Sequence, residues 1–241
     1  MEKYILYNAT SENLLEINEF FVEYTNDKIE KLYIKVINEP ITNPEYGKVS
    51  IFVYFKNNVN YNDVVDIGDR VVDEFLNYLS YTMKIGFSKS ISTYNNFEEN
   101  LSINNSMIVK LKIACPLNQD TIDETLKNIA EKPLNVIFLE MYKSALNNND
   151  DVARFMMLYS VLDFVISGTG QSRICKFAQQ NSYPRSYRNT VKKRNECIFT
   201  YLRNKIGHTD DTVDFEDTKR EMRNNVSKLA DLLKKAIEFY S

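Results

Sequence analysis

The spacing of hydrophobic and polar positions changes its period once along this chain. In the first part, short β-branched and aromatic runs at 31–37 (KLYIKVI) and 48–55 (KVSIFVYF) flank Asn38-Glu39-Pro40 and Asn43-Pro44. That order of apolar run, turn residues and apolar run predicts two strands that pair with one another. Asn62 or Asp63 can cap a helix running to about Met83, because Val64, Val65, Val71, Val72, Phe75, Leu76 and Leu79 recur at helical spacing. One face of this helix is expected on the sheet. Residues 85–94 and 106–114 (SMIVKLKIA) read as further strands, and Pro116 closes the segment.

From Asp120 onward the period is helical, with helices predicted at 121–130, 134–146, 152–167, 173–179, 187–206 and 215–240, and every strand signal lies upstream. Asn147 to Asp151 (NNNDD) ends one helix and offers Asp150 as the cap of the next, which Gly168-Thr169-Gly170 terminates. In the last helix Met222, Val226, Leu229, Leu233 and Ile237 form an apolar stripe suited to bundle packing. The expected architecture is an α+β N-terminal region over 1–117 followed by an all-α helical region over 118–241. A functional bundle is expected to begin near 150. No repeat at a 20–50 residue period is present, so a solenoid is not supported.

Composition narrows the chemistry. The 241 residues include 44% hydrophobic and 26% charged residues, 6 Gly and 5 Pro, which is ordinary for a folded globular chain. Met1 to Tyr7 lack the basic region and apolar core of a signal peptide, and no apolar run approaches the ~18 residues of a membrane span. A cytoplasmic protein with no membrane partner is the expectation. Cys115, Cys175 and Cys197 are odd in number and far apart in sequence, and are read as buried free thiols. With one histidine and no C-x-x-C pair, a zinc site is not expected. The 33 acidic residues show no motif-like cluster for Mg²⁺, and the phosphate-loop, dinucleotide and nucleophile-elbow motifs are absent. Neither a metal nor a cofactor is expected.

The net charge of −3 conceals an asymmetry. Between Arg173 and Lys205 there are nine basic residues and one acid, Glu196, giving +8 and leaving −3 − 8 = −11 for the remainder. Arg185, Arg188, Lys192, Lys193 and Arg194 of this stretch, with Lys205, can follow an RNA backbone in a salt-dependent manner. A solvated basic helix face balanced by the acidic remainder explains them equally well. Near the end of the stretch stands His208, the only histidine, five residues after Arg203 in Tyr201-Leu202-Arg203-Asn204-Lys205-Ile206-Gly207-His208. Gly207 interrupts the helix just before it.

Arg203-Asn204-Lys205-Ile206-Gly207-His208 resembles the R-x4-6-H signature of the HEPN superfamily, in the version where Asn follows Arg. The helix carrying Ala153-Arg154-Phe155 and Leu162-Asp163, and the helix at 172–179, resemble bacterial members. The resemblance covers about 150–240, under half of the chain. It implies an all-α HEPN-like bundle of four or five helices that commonly dimerises. Many such domains are endoribonucleases of toxin–antitoxin, abortive-infection and CRISPR-linked defence systems, and others have lost activity and only bind. An antitoxin or other defence-system protein is thereby an implied partner.

Elementary chemistry points the same way. Metal-free RNA cleavage needs a base for the 2′-OH, an acid for the 5′-oxygen and positive charge at the phosphorane. An imidazole with a pKa near ~6.5 serves both proton transfers at neutral pH. One chain supplies one, so a homodimer bringing two Arg203/His208 pairs into one cleft is expected. Arg203 is assigned to the phosphate, which its planar fork of donors suits better than Lys would. Asn204 either bonds the phosphate, orients His208 or simply faces solvent on its helix. Tyr201 and Lys205 are further candidate contacts, with Tyr201 at least as readily packed, and Asp163 is a minor one. A catalytically silent module binding RNA, a nucleotide or a protein is the alternative.

Overall fold

The computed structural model describes all residues except 1–2, 12–18, 23–27, 38–46, 57, 96–118, 132–133, 149, 167–169, 190–192 and 208–213. The predicted strand at 106–114 and Cys115 therefore lie outside the described residues. The chain divides into two units, Met1–Lys132 and Pro133–Ser241.

The first unit is an antiparallel sheet with helices. Its strands are β1 (Lys3–Ser11), β2 (Glu19–Val22), β3 (Ile29–Ile37), β4 (Gly47–Phe55) and β5 (Ser88–Asn95), in the spatial order β2-β3-β4-β1-β5. β3 and β4 pair as expected, with Ile34 opposite Ile51. β1 and β2 are not among the strands read from the sequence. β1 nonetheless lies between β4 and β5, and its alternation sends Ile5, Tyr7 and Ala9 into the core.

That core is completed by Val49, Ile51, Val53 and Phe55 of β4 and by α1 (Tyr61–Met83), which buries Val64, Val72, Phe75, Leu76 and Leu79. Gly68 lets α1 approach closely: a Cβ there would come within 2.5 Å of the Tyr7 hydroxyl. Lys89 of β5 reaches both Asp69 and Asp73 of α1, at 2.9 and 2.8 Å. α2 (Gln119–Glu131) buries Ile122 in the same core, with Leu126 and Ile129 packed against it. The division of the chain thus falls after α2 rather than at 117/118.

The second unit is mostly helical: α3 (Val136–Leu146), α4 (Asp151–Val165), α5 (Gln171–Gln180), α6 (Ile198–Gly207) and α7 (Phe215–Tyr240). Asp150 caps α4 as expected, its carboxylate accepting from the Ala153 N–H at 2.8 Å. Asn135 and Asp214 cap α3 and α7 in the same way. The α7 stripe is core: Met222, Leu229, Leu233 and Ile237 are fully buried, facing a helix α4 that buries Phe155, Leu158 and Leu162.

One element differs in kind. The helix predicted over 187–206 is instead a β-hairpin followed by a ten-residue helix. Its strands, β6 (Tyr187–Asn189) and β7 (Arg194–Glu196), pair Tyr187 with Glu196 and Asn189 with Arg194. Residues 187–196 are basic and polar apart from Tyr187 and Val191, too few for an apolar stripe, so a helix there would bury little. Lys193 at φ +50° breaks the helical path at the turn. Strand structure is therefore not confined to the first unit, and Arg203 stands on a short helix rather than at the end of a long basic one.

Candidate functional site at the C-terminal half of α6

α6 starts where apolar periodicity resumes after the hairpin. Phe199 and Leu202 are buried in the bundle, which turns the adjacent Arg203 partly outward. Asn204 follows the buried side: it is only 5% exposed. A buried amide must find partners for both its donor and acceptor groups, and this one does. Asn204 Nδ2 donates to Glu196 Oε2 at 3.0 Å and to Gln171 Oε1 at 3.3 Å, while its Oδ1 accepts from Gln171 Nε2 at 2.8 Å and from Arg203 Nη1 at 3.2 Å.

Glu196, 1% exposed, is the anchor on the other side. Its second carboxylate oxygen accepts from Arg194 Nε at 3.3 Å, and Arg194 Nη2 donates to Gln171 Oε1 at 2.9 Å. The lone acid of the basic stretch is thus not an incidental exception. It is a buried carboxylate that ties the hairpin to α6, with Gln171 bringing the first residue of α5 into the same network. The third alternative for Asn204, a solvent-facing helix position, is overturned. Reading the sequence alone missed Gln171 and Glu196; the available signal was a single acid among nine bases, eight residues before Asn204.

The remaining basic residues separate by role. Arg185 Nη2 donates to the Ser172 carbonyl at 2.9 Å, so it closes the start of α5. Arg188 and Lys193 are exposed on the hairpin. Tyr187 stacks on Tyr201 at 5.1 Å between ring centroids, and Lys205 Nζ lies 5.5 Å from the Tyr201 ring. Tyr201 is accordingly a packed ring that joins hairpin, helix and Lys205. Lys192 and His208 lie outside the described residues. The structure therefore brings together Arg203, Asn204, Arg194 and, through Tyr201, Lys205.

Beneath the site lies a thiol pair. Cys175 of α5 and Cys197, just before α6, are free and buried, with their sulfurs 3.1 Å apart. Both sulfurs meet the Thr200 hydroxyl, at 3.2 and 3.4 Å, and Thr200 in turn meets the Tyr159 hydroxyl of α4 at 3.1 Å. Hydrogen bonding from the Cys197 thiol pulls Cys175 down to about 6, with smaller help from Thr200, the Cys197 backbone and the Arg185 charge opposing the cost of burial. The same bond pushes Cys197 strongly upward, and burial adds to it. The shared bond thus favours the thiolate on Cys175 and the thiol on Cys197.

Among the described residues no group of three or more His, Cys, Asp or Glu side chains could hold a metal ion, and no helix is long and apolar enough to cross a membrane. No family model, curated protein or solved structure matches the chain.

Proposed function

We propose that this chain is a metal-independent endoribonuclease of HEPN type that acts as a homodimer. The observation that carries the reading is the Gln171–Asn204–Glu196–Arg194 network, with Asn204 and Glu196 buried, which ties the α6 segment bearing Arg203 to α5 and β7. A phosphate-binding guanidinium contributes to rate only when its position is set in advance, and the network supplies that setting. Arg203 grips the scissile phosphate and stabilises charge on the phosphorane. His208, five residues later, withdraws the 2′-OH proton, and its counterpart from the second chain protonates the departing 5′-oxygen, leaving a 2′,3′-cyclic phosphate. Asn204 is a positioning residue, since its amide is engaged by Gln171, Glu196 and Arg203. Arg188, Lys193, Lys192 and Lys205 contribute phosphate contacts along the strand. The setting implied by the HEPN resemblance is antiviral defence or a toxin system, with an antitoxin or another defence protein as partner and the cytoplasm as location.

A second reading draws on the same network. An Asn204 satisfied within the protein also suits a catalytically silent module that binds RNA, a nucleotide or a protein partner. The two readings part at cleavage of total cellular RNA in EDTA. The enzyme cuts, and loses at least a hundredfold in rate on Arg203→Ala or His208→Ala while remaining dimeric and folded. Equal cleavage by all three proteins, or cleavage by a monomer at full rate, overturns the proposal. No cleavage by wild type supports the silent module.

A further inference from the structure

α5 uses two opposite faces. Ile174, Cys175 and Ala178 are buried, and Gln171, which holds Asn204, lies on the same side. Arg173, Lys176, Phe177 and Gln180, at successive spacings of three, one and three residues, stand about half a turn away around the helix. Bundle packing accounts for the first face and not for the second. The second face lines an open cavity of about 820 Å³, closed opposite by Lys235, Phe239 and Tyr240 of α7. That volume lies within the range of roughly 300–1,000 Å³ found for small-molecule sites.

The lining chemistry is selective. Arg173, Lys176 and Lys235 bring three positive charges, and no carboxylate is among the described residues that line the cavity. The aromatic side is equally specific. Phe239 is 74% exposed, an unusual position for a phenyl ring, and it rests edge-on against Tyr240 at 4.8 Å between centroids. Tyr240 in turn meets Phe177 at 6.1 Å. The three rings form a chain of contacts and leave ring surface open beside the cations. Cations alone would suit any anion, and rings alone any apolar partner. Together they suit a ligand with a flat heterocycle and a phosphate, the base stacking on the aromatic side and the phosphate meeting the lysines and arginine. The Gln180 amide at the rim can hydrogen-bond a base edge.

We infer that the cavity between α5 and α7 is a binding site for a nucleoside 5′-phosphate, separate from the Arg203 site. The ligand is either a free mononucleotide or one nucleotide of an RNA strand, and the inference holds whether or not Arg203 and His208 cleave RNA.

The test uses the full chain at low salt and titrates a fluorescent adenosine 5′-monophosphate, with adenosine, inorganic phosphate, unlabelled adenosine 5′-monophosphate and a single-stranded eight-nucleotide RNA as competitors. Saturable binding is expected, competed by the mononucleotide at least tenfold better than by adenosine or phosphate. Phe239→Ala and the pair Lys176→Glu/Lys235→Glu change exposed positions, and each should weaken binding at least tenfold with an unchanged circular dichroism spectrum. Arg203→Ala should leave it unaltered, which separates this site from the proposed nuclease centre. Competition by the octamer far better than by the mononucleotide assigns the site to a strand, and the reverse to a free nucleotide. Absence of binding, binding insensitive to the cavity variants, or phosphate competing as well as the mononucleotide overturns the inference.

Discussion

At the scale of single residues, Glu196 carries the most structural consequence. Its carboxylate is buried with one partner, Asn204, itself buried, and another, Arg194, that is 42% exposed. Glu196→Ala should cost about 2–3 kcal/mol in urea unfolding, below the ~3–5 kcal/mol for a pair buried at both ends, because Arg194 can recover water. Asn204→Ala should cost about 1–3 kcal/mol by leaving Glu196 and Gln171 short of partners. The double variant should show a coupling of at least ~0.5 kcal/mol, and strict additivity would mean the network is not a unit. The thiol pair gives a pH signature. The native pair releases its first proton near 6, whereas an unfolded thiol holds its own to about 8.5. Below that value the unfolded chain binds more protons than the native one, so the Cys175 contribution is present above about 8.5 and is lost as pH falls toward 6. The raised Cys197 acts in the opposite sense above about 8.5, where the unfolded chain sheds a proton that the native pair keeps. Stability should therefore rise between pH 6 and 8.5 and fall beyond, by comparison with Cys197→Ser. Thiolate absorbance at 240 nm below pH 8, lost in that variant, checks the assignment.

At the scale of elements, legibility followed periodicity. α1 and α7 each present an apolar stripe, α4 is apolar around most of its circumference, and each forms close to where it is expected. The hairpin of β6 and β7 was illegible as a strand pair because neither strand alternates apolar and polar residues; it is held by Tyr187 on Tyr201 and by Glu196 under α6, contacts that exist only after folding. Its turn makes a direct prediction. Lys193 sits at φ +50° and is exposed, a conformation that costs an L-residue about 1–2 kcal/mol and a glycine almost nothing. Lys193→Gly should raise the unfolding midpoint by the equivalent of about 1 kcal/mol while weakening RNA binding through loss of one cation. Gly68 predicts the reverse. Alanine gains about 1 kcal/mol of helix propensity, yet its methyl meets the tightly enclosed Tyr7 side chain, and overpacking of that kind costs about 1–3 kcal/mol. Gly68→Ala should lower the melting temperature, and Gly68→Ala/Tyr7→Phe should recover part of the loss by removing the hydroxyl.

At the scale of the whole molecule, the two units have separate cores. One gathers Ile5, Ile51, Phe75 and Ile122, and the other Phe155, Leu162, Leu202 and Leu233. Residues 1–132 and 133–241 expressed apart should each give a cooperative thermal transition, followed by circular dichroism; a molten second fragment would show that its helices depend on the first unit. The sequence by itself determined the class of each part, because strand and helix bury one face at different periods and that period is written locally. It also marked Arg203 and the charge asymmetry, which are properties of composition and spacing. Only the tertiary structure decided that Asn204 is a buried latch, that Glu196 is its anchor and that Cys175 and Cys197 adjoin. It likewise decided that Arg173, Lys176 and Lys235 share a cavity with Phe239. Each of those facts joins residues of different elements, and such proximity follows from how cores close rather than from any local pattern.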